Sequence, residues 1–184
     1  PGDVLARRLS ILRQDNAMTA RLTVRDLVAF GRYPHNKGRL TVDDGRHIDR
    51  ALAYLELEDL KGRFLDELSG GQRQRAFVAM VLCQDTDYML FDEPLNNLDI
   101  KHAVTMMRLL RRAAEDLGKT VVVVLHDINF ASCHSDRIIA MKNGRVAEQG
   151  SPEEIVRAEV LEAIYGTAFA IHMIDGQRIA TYFR

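Results

Sequence analysis

The order strand, helix, strand between residues 88 and 125 restricts the folds open to this chain more than any other feature of its sequence. Tyr88 to Phe91 is a short apolar run, and residues 100 to 117 carry apolar side chains at helical spacing up to Gly118. A second apolar run, Val121 to Leu125, follows. This order favours a right-handed βαβ unit with parallel strands. Because the second run shows no alternation of polar and apolar residues, we expect that strand to be covered on both faces.

The preceding part of the chain, between Gln14 and Gln84, is predicted to be mainly helical. Pairs of a threonine and an aspartate three residues later are typical of helix starts, where each side chain caps the other residue's backbone. In chain order we expect a strand over residues 9–12, a helix from Thr23–Asp26 to Phe30, a loop over residues 33–38, and a helix opened by Thr41–Asp44.

Two hairpins are predicted in the last third of the chain. Asn143-Gly144, between residues 138–142 and 145–149, predicts a hairpin with a type I′ turn. Asp175-Gly176, between residues 170–174 and 178–183, suggests a second hairpin. Between them, Ser151-Pro152-Glu153-Glu154 combines a cap, a first-turn proline and a capping box, so we expect a helix to begin there.

Composition bounds the class of protein. The chain has 184 residues, 47% hydrophobic and 28% charged, which is the balance of one soluble globular domain. Its net charge of -1 argues against a nucleic-acid binder with a broad basic face. Cys83 and Cys133 lack metal-ligand spacing, so we interpret them as reduced thiols in the core. Neither a run of transmembrane length nor a signal peptide is present.

A potential anion site lies at Leu68-Ser69-Gly70-Gly71-Gln72, directly before an apolar helix. The two glycines let backbone N–H groups approach an anion without a Cβ in the way. The start of the following helix adds its first-turn donors and the positive end of its dipole, and Ser69 adds a hydroxyl. A plain glycine turn before a helix is the alternative reading of these residues.

Polar side chains follow the predicted strands at the edge where open α/β sheets bind their ligands. Asp92 and Glu93 suit phosphoryl chemistry, with one carboxylate holding Mg²⁺ and the other positioning water. His126 and Gln14 follow two further strands. Each has an ordinary alternative: a solvated Asp-Glu turn, a surface histidine and an exposed loop glutamine. Asp99 is well placed to cap the helix that starts near Ile100.

In order and approximate spacing these residues resemble the motif series of ABC transporter ATPases. Gln14 resembles the Q-loop, Leu68 to Gln72 the LSGGQ signature, Asp92-Glu93 the Walker B pair, Leu98-Asp99 the D-loop and His126 the H-loop. The resemblance covers nearly the whole chain. The stretches Arg21 to Leu27, Gly31 to Pro34 and Leu125 to Asn129 further resemble the iron-siderophore importer branch.

The resemblance implies an α/β fold: a partial P-loop NTPase core with a parallel sheet and an inserted α-helical subdomain. It implies one domain over residues 1–184, with a helical signature subdomain at 15–84 and the C-terminal part of the nucleotide-binding core at 85–184. The departure is the P-loop, because no GxxxxGK[ST] segment occurs in the chain. The chain begins with Pro1 rather than Met, and we expect it to be an N-terminally truncated form of such an ATPase.

The resemblance also implies a role for each motif residue. Ser69, Gly70 and Gly71, with Gln72, would bind the γ-phosphate of an ATP that a second, head-to-tail ATPase subunit holds. Asp92 and Gln14 would organise Mg²⁺, and Gln14 would sense the nucleotide. Glu93 would act as general base, and His126 would contact the γ-phosphate. Asp99 would lie in the same nucleotide site.

The implied function is ATP hydrolysis that powers import of a ferric siderophore or a related iron chelate. The partners would be a second ATPase subunit, transmembrane permease subunits and, indirectly, a substrate-binding protein, at the cytoplasmic face of the membrane. Residues 15–84 would dock on the permease, with some of Leu22, Leu27 and Phe30 in the docking groove. Two alternatives stay open: a soluble ABC ATPase without a permease, and a non-catalytic or truncated interaction subunit. The chain alone is expected to be inactive, because it lacks a P-loop.

Overall fold

A three-stranded parallel sheet organises the first of two compact units in the computed structural model. The structure describes residues 2–14, 16, 18, 20–96 and 98–183. The first unit comprises residues 1–124 and the second residues 125–184. In the sheet, β1 (Leu9–Leu12) and β3 (Thr120–Val124) flank β2 (Tyr88–Asp92). Both pairings are parallel, which confirms the parallel strands predicted for the βαβ unit.

Nine helices occur among the described residues. Those of the first unit are α1 (Gly2–Ala6), α2 (Val24–Phe30), α3 (Tyr33–Asn36), α4 (Val42–Tyr54), α5 (Gly70–Cys83) and α6 (Ile100–Leu117), together with short 3₁₀ turns at Glu58–Leu60 and Leu65–Glu67. Those of the second unit are α7 (Ile128–His134), α8 (Pro152–Ile155) and α9 (Ala158–Tyr165). The stretch between β1 and β2 is therefore mainly helical, as predicted.

The sheet of the first unit is covered on one face. Met89 and Phe91 of β2 point into a core shared with α5 and α6 and are about 1% exposed. On the other face, Ile11, Val122 and Val124 are 55%, 46% and 47% exposed. The prediction that β3 is covered on both faces is therefore wrong for the described residues, because the helices that pack on the sheet lie on one side. An apolar strand composition shows that a strand can be buried, and it does not show which element buries it.

The helix starts predicted from capping patterns are confirmed. Thr23 and Thr41 precede α2 and α4, and each side chain accepts a hydrogen bond from the backbone N–H of an aspartate three residues later. Helix α6 runs from Ile100 to Leu117, as its apolar spacing predicted, and ends at Gly118 in the left-handed region.

Residues 33–38 were expected to form a loop, and here the prediction is wrong in part. Residues 33–36 form the single helical turn α3, with Pro34 in its first turn, where the fixed φ of proline suits a helix. Tertiary contacts support the turn: the His35 Nε2 atom lies 2.9 Å from the Gln84 carbonyl oxygen. Lys37 and Gly38 then take positive φ angles and end it.

A buried ionic cluster joins the helices of this region. The Arg32 Nε–H donates to Asp44 Oδ1 over 2.9 Å, and the same guanidinium donates to the Cys83 carbonyl. Asp44 Oδ2 accepts from Asn36 and from both the backbone N–H and the hydroxyl of Thr41. Burial would raise the pKa of Asp44, but these hydrogen bonds outweigh it and hold the pKa well below its ordinary value. These five residues are called the Arg32–Asp44 cluster below.

The second unit contains two antiparallel hairpins, β4–β5 (Ile138–Lys142 and Arg145–Gly150) and β6–β7 (Ala170–Ile174 and Gln177–Thr181). Both residues of the turn Asn143-Gly144 have positive φ, as a type I′ turn requires. The capping box at Ser151 opens α8, as predicted. A small core of its own holds this unit together, with Leu161 and Val156 fully buried.

The two cysteines fit their expected role as thiols. Cys83 is buried, and burial raises the pKa of its thiol to about 12. Burial also raises the pKa of Cys133. Among the described residues, no helix has the length and apolar content needed to cross a bilayer.

The compact units divide the chain after Val124, whereas the motif resemblance divides it after Gln84. The helical subdomain at 15–84 lies within the first unit, and the division into 15–84 and 85–184 stays a proposal. Of the predicted helical stretch, residues 15, 17 and 19 lie outside the described residues.

Candidate functional site

The Ser69 to Gln72 segment forms the start of α5. Ser69 is the N-cap, and its hydroxyl oxygen accepts from the Gln72 N–H over 3.3 Å. The Gln72 side-chain oxygen in turn accepts from the Ser69 N–H over 3.0 Å. The hydroxyl keeps its proton for a further acceptor, because its cap bond uses only a lone pair. Gln72, predicted to contact the ligand, has its side-chain oxygen engaged in closing the helix start.

The two glycines of this segment differ in their surroundings. Gly70 faces open space: nothing lies within 4 Å of the position that a Cβ would occupy. Gly71 is buried, and its Cβ position lies 2.7 Å from the His102 Cδ2 atom. The N–H groups of the first helical turn have no intrahelical acceptor, so an anion at Gly70 would meet exposed donors and the helix dipole. That an anion of phosphate size binds at this start of α5 stays a prediction.

The carboxyl ends of β1 and β2 bring two predicted site residues together. The Gln14 Nε2–H donates to Glu93 Oε2 over 2.8 Å, although 79 positions separate the two residues in the chain. The parallel register Leu12 to Phe91 places both at the same sheet edge. Gln14 is exposed and Glu93 half-exposed, so the pair faces solvent.

Glu93 also carries backbone strain. Its φ of 48° lies in the left-handed region, which costs a non-glycine residue about 1 kcal/mol. The Asn96 side-chain amide donates to the same Glu93 Oε2 atom, and the Asn96 backbone N–H donates to the Glu93 carbonyl over 3.2 Å. Such strain is kept where the surrounding contacts fix the backbone. Two side-chain amides, those of Gln14 and Asn96, thus hold the Glu93 carboxylate.

Asp92 ends β2 next to Glu93, and its side chain is exposed. Within the described residues, no group of three or more histidines, cysteines or carboxylates is arranged to hold a metal ion. Magnesium commonly takes one or two carboxylates and completes its shell with water and phosphate oxygens. The prediction that Asp92 and the side-chain oxygen of Gln14 bind Mg²⁺ together with a nucleotide stays a prediction.

Asp99 caps α6, as predicted. Its Oδ1 atom accepts from the His102 backbone N–H over 2.8 Å, and the His102 Nδ1 atom lies 2.8 Å from the same oxygen. The backbone hydrogen bond, followed by the side-chain bond and the charge of His102, lowers the pKa of Asp99. Asp99 is thus an anion at neutral pH on the surface of the first unit.

His126 belongs to the second compact unit, between β3 and α7, and its side chain is exposed. The neighbouring Asp127 caps α7 by accepting from the N–H groups of Asn129 and Phe130. The predicted approach of His126 to the phosphate site stays a prediction.

A Gly-Lys-Thr triplet at residues 118–120 is not a P-loop. A P-loop leads from a strand into a helix, whereas this triplet leads from α6 into β3. Gly118 ends the helix with a φ of 61°, and the Lys119 Nζ donates to Asp85 over 2.8 Å.

Three residues of the site were missed by sequence reasoning. Asn96 binds the Glu93 carboxylate, His102 contacts both Asp99 and Gly71, and the Gln74 Nε2–H donates to the Pro94 carbonyl over 3.1 Å. The last two contacts place the start of α5 beside the segment that follows β2. Of these, only the pairing of His102 with Asp99, three positions apart at a helix start, leaves a signal in the sequence.

Comparisons with known proteins identify the family of this chain. A family model described as "ABC transporter" matches residues 3–96. The chain is 58% identical over 179 residues to the petrobactin import ATP-binding protein YclP of Bacillus subtilis (strain 168), covering 97% of the chain and 71% of that protein. It is 42% identical over 164 residues to the ferric enterobactin transport ATP-binding protein FepC of Escherichia coli (strain K12), covering 88% of the chain and 60% of that protein.

A solved structure shares the fold. The dimeric structure of an ATP-binding cassette in a post-hydrolysis state, bound to ADP and Pi, superposes with a TM-score of 0.70 and 30% identity. The match covers 82% of this chain and 66% of that one. The predicted α/β fold with a parallel sheet, as part of an ATP-binding cassette core, is thereby confirmed.

Proposed function

Since this chain belongs to the ABC transporter family, we propose that the complete protein hydrolyses ATP to power import of a ferric siderophore or a related iron chelate. The names of the relatives support the substrate class: one is a petrobactin import protein and the other a ferric enterobactin transport protein. Selection of the individual chelate is left to the permease and binding protein in this proposal.

The observation that carries the proposal is the Gln14–Glu93 pair at the ends of β1 and β2. A carboxylate that acts as general base must be held within hydrogen-bond reach of water, and the strained Glu93 backbone with its two amide donors fixes it at the sheet edge. Glu93 accepts the proton of the attacking water in this mechanism. When the side-chain oxygen of Gln14 turns to bind a cation, the hydrogen bond from Gln14 to Glu93 must change. Gln14 thereby transmits the state of the nucleotide site to the helical region.

The other motif residues act on the phosphates. Mg²⁺ would be held by Asp92 and Gln14, and when bound it neutralises charge on the phosphate oxygens. Ser69, Gly70 and Gly71 donate to the γ-phosphate at the start of α5, which the helix dipole favours. His126 contacts the same phosphate, and Asp99 lies at the same interface.

We assign the nucleotide at this helix start to a second subunit. The related cassette is a dimer, which supports a homodimer with composite sites. In the head-to-tail arrangement proposed here, the Ser69–Gly71 donors of one subunit serve the ATP that its partner holds. The complex works at the cytoplasmic face of the membrane with a transmembrane permease and, through it, a substrate-binding protein.

The helical region at 15–84 docks on the permease in this proposal, but not through all the residues expected. Leu27 is fully buried in the core of the first unit, so its side chain is not accessible to a permease. Phe30 is 50% exposed, and Tyr33 beside it is 55% exposed, so these two rings are the better candidates. Leu22 is half-buried.

The 184-residue chain alone is expected to bind ATP very weakly. It contains no GxxxxGK[ST] segment, whose lysine and backbone donors supply the main grip on the β- and γ-phosphates. Titration of the chain with Mg·ATP in a calorimeter should give no saturable heat at micromolar nucleotide. Binding with a micromolar Kd would contradict the assignment of that grip to a P-loop.

Two other functions are alternatives to the importer ATPase, and a specific observation favours the first. A non-catalytic subunit would offer Ser69 to Gly71 to an active partner, and the lack of a P-loop motif in the chain favours it. A soluble ABC ATPase would use the same site without a permease. Copurification of the complete protein with a membrane permease separates the soluble ATPase from the importer, and ATP turnover separates the importer from the non-catalytic subunit.

A further inference from the structure

The space beside Gly71 is filled by the ring of His102. A Cβ at Gly71 would lie 2.7 Å from the ring Cδ2 atom and 2.9 Å from Cγ, closer than Cβ atoms approach other groups. Gly71 has no positive φ, so its backbone conformation does not require glycine. The His102 ring therefore leaves no room for a side chain at Gly71. Gly70, by contrast, has open space beside it.

The same ring also binds Asp99. The His102 Nδ1 atom lies 2.8 Å from Asp99 Oδ1. Because the acceptor is a carboxylate, Nδ1 carries the proton. Asp99 Oδ1 already caps α6 by accepting a hydrogen bond from the His102 backbone N–H over 2.8 Å. The bond from the ring is therefore not needed to start α6.

Stability does not account for the ring bond either. The His102 and Asp99 side chains are 41% and 64% exposed, and an exposed pair of this kind contributes little to folding. What the ring adds is geometric: one imidazole touches the second helical residue of α5 and the cap of α6. A turn further along α5, the Gln74 side chain donates to the Pro94 carbonyl, in the segment between β2 and α6.

We infer that His102 is a positioning residue that holds Asp99 in register with Gly71, so that the phosphate-binding start of α5 and the cap of α6 move together. This inference rests on the proposed function, in which both segments reach the same nucleotide. His102 itself does not touch the reacting atoms. It acts through the two groups that its ring contacts.

The test is a double-mutant cycle on steady-state ATP hydrolysis by the complete protein, with Gly71→Ala, His102→Ala and the double variant. His102→Ala should lower kcat about tenfold with the KM for ATP within about twofold, because positioning is lost in the transition state rather than in binding. His102→Asn should recover most of kcat, since its amide N–H stands where the Nδ1–H stood. Arg108→Ala, on the exposed side of α6, is the matched control and should leave kcat unchanged.

The cycle also tests the contact itself. Gly71→Ala forces a methyl group into the ring, so its cost should be several-fold smaller in the His102→Ala background than in the wild type. Equal costs in both backgrounds, with His102→Asn no better than His102→Ala, would overturn the inference. Thermal unfolding of the same four proteins shows whether each variant folds. The four Tm values also give the coupling between Gly71 and His102 without reference to ATP. If the wild type lacks ATP turnover, the proposed function fails, and the coupling in Tm still decides whether the contact exists.

Discussion

Two polar clusters in the first unit are built from similar side chains and have opposite physical character. The Arg32–Asp44 cluster is sealed: both charged side chains are under a tenth exposed, and each carboxylate oxygen has a donor. The strand-end cluster of Gln14, Glu93 and Asn96 faces solvent, and the Glu93 backbone is strained.

The difference separates residues that stabilise the fold from residues for which we propose a catalytic role. A buried charge that loses its partner is stranded in a medium that solvates it poorly, so changes in the Arg32–Asp44 cluster should appear in the free energy of unfolding. A solvated carboxylate loses little when it is neutralised, so changes at Glu93 should appear in turnover. Stability and activity can therefore be measured on different variants of one protein.

The largest effect on stability is expected for Asp44→Asn. The variant leaves the Arg32 guanidinium buried without a counter-charge, and the free energy of unfolding at pH 7 should fall by about 3 kcal/mol. Urea denaturation followed by circular dichroism measures it. Asp43→Asn is the matched control one residue earlier: its carboxylate is 70% exposed, and less than about 0.5 kcal/mol should be lost.

The difference in the free energy of unfolding between the wild type and Asp44→Asn should depend on pH. The pKa of Asp44 is lower in the folded than in the unfolded protein, so its contribution is fully present above the unfolded pKa of about 4. It is lost as the pH falls towards the folded pKa. The difference between wild type and Asp44→Asn should hence be constant above about pH 5 and shrink below about pH 4. A difference that stays constant down to pH 3 would show that the charge of Asp44 is not what stabilises the cluster.

A smaller effect is expected where α2 packs closely on α5. A Cβ at Gly31 would collide with the Met80 carbonyl oxygen and press on Cys83, so Gly31→Ala should cost about 2 kcal/mol. Gly45, within α4, has open space beside it, and Gly45→Ala should instead add about 0.5–1 kcal/mol through helix propensity. Equal effects of the two substitutions on Tm would refute the close packing.

Local features were the ones that the sequence made predictable. The capping pairs at Thr23 and Thr41 gave the starts of two helices, and the apolar spacing after Asp99 gave the extent of α6. Each of these rests on residues three or four positions apart, which one sequence displays directly. The order of the site motifs predicted the family because each motif is a short run of residues that the sequence displays directly.

Several contacts between residues far apart in the chain were not predictable. The helical turn at residues 33–36 is supported by contacts with residues some fifty positions away, such as His35 with the Gln84 carbonyl. The His102 ring fills the space beside Gly71, and neither residue indicates the other in the sequence. An apolar strand such as β3 likewise does not say that one of its faces is uncovered.

The central claim is that Glu93 is the base of an ATP-hydrolysing site, and Glu93→Gln in the complete protein tests it most directly. The amide keeps the shape of the carboxylate but cannot accept the proton of the attacking water. We expect steady-state ATP turnover to fall by about 10²- to 10⁴-fold, with the Tm unchanged and ATP-dependent dimerisation intact by light scattering. Turnover within about twofold of the wild type would contradict the account.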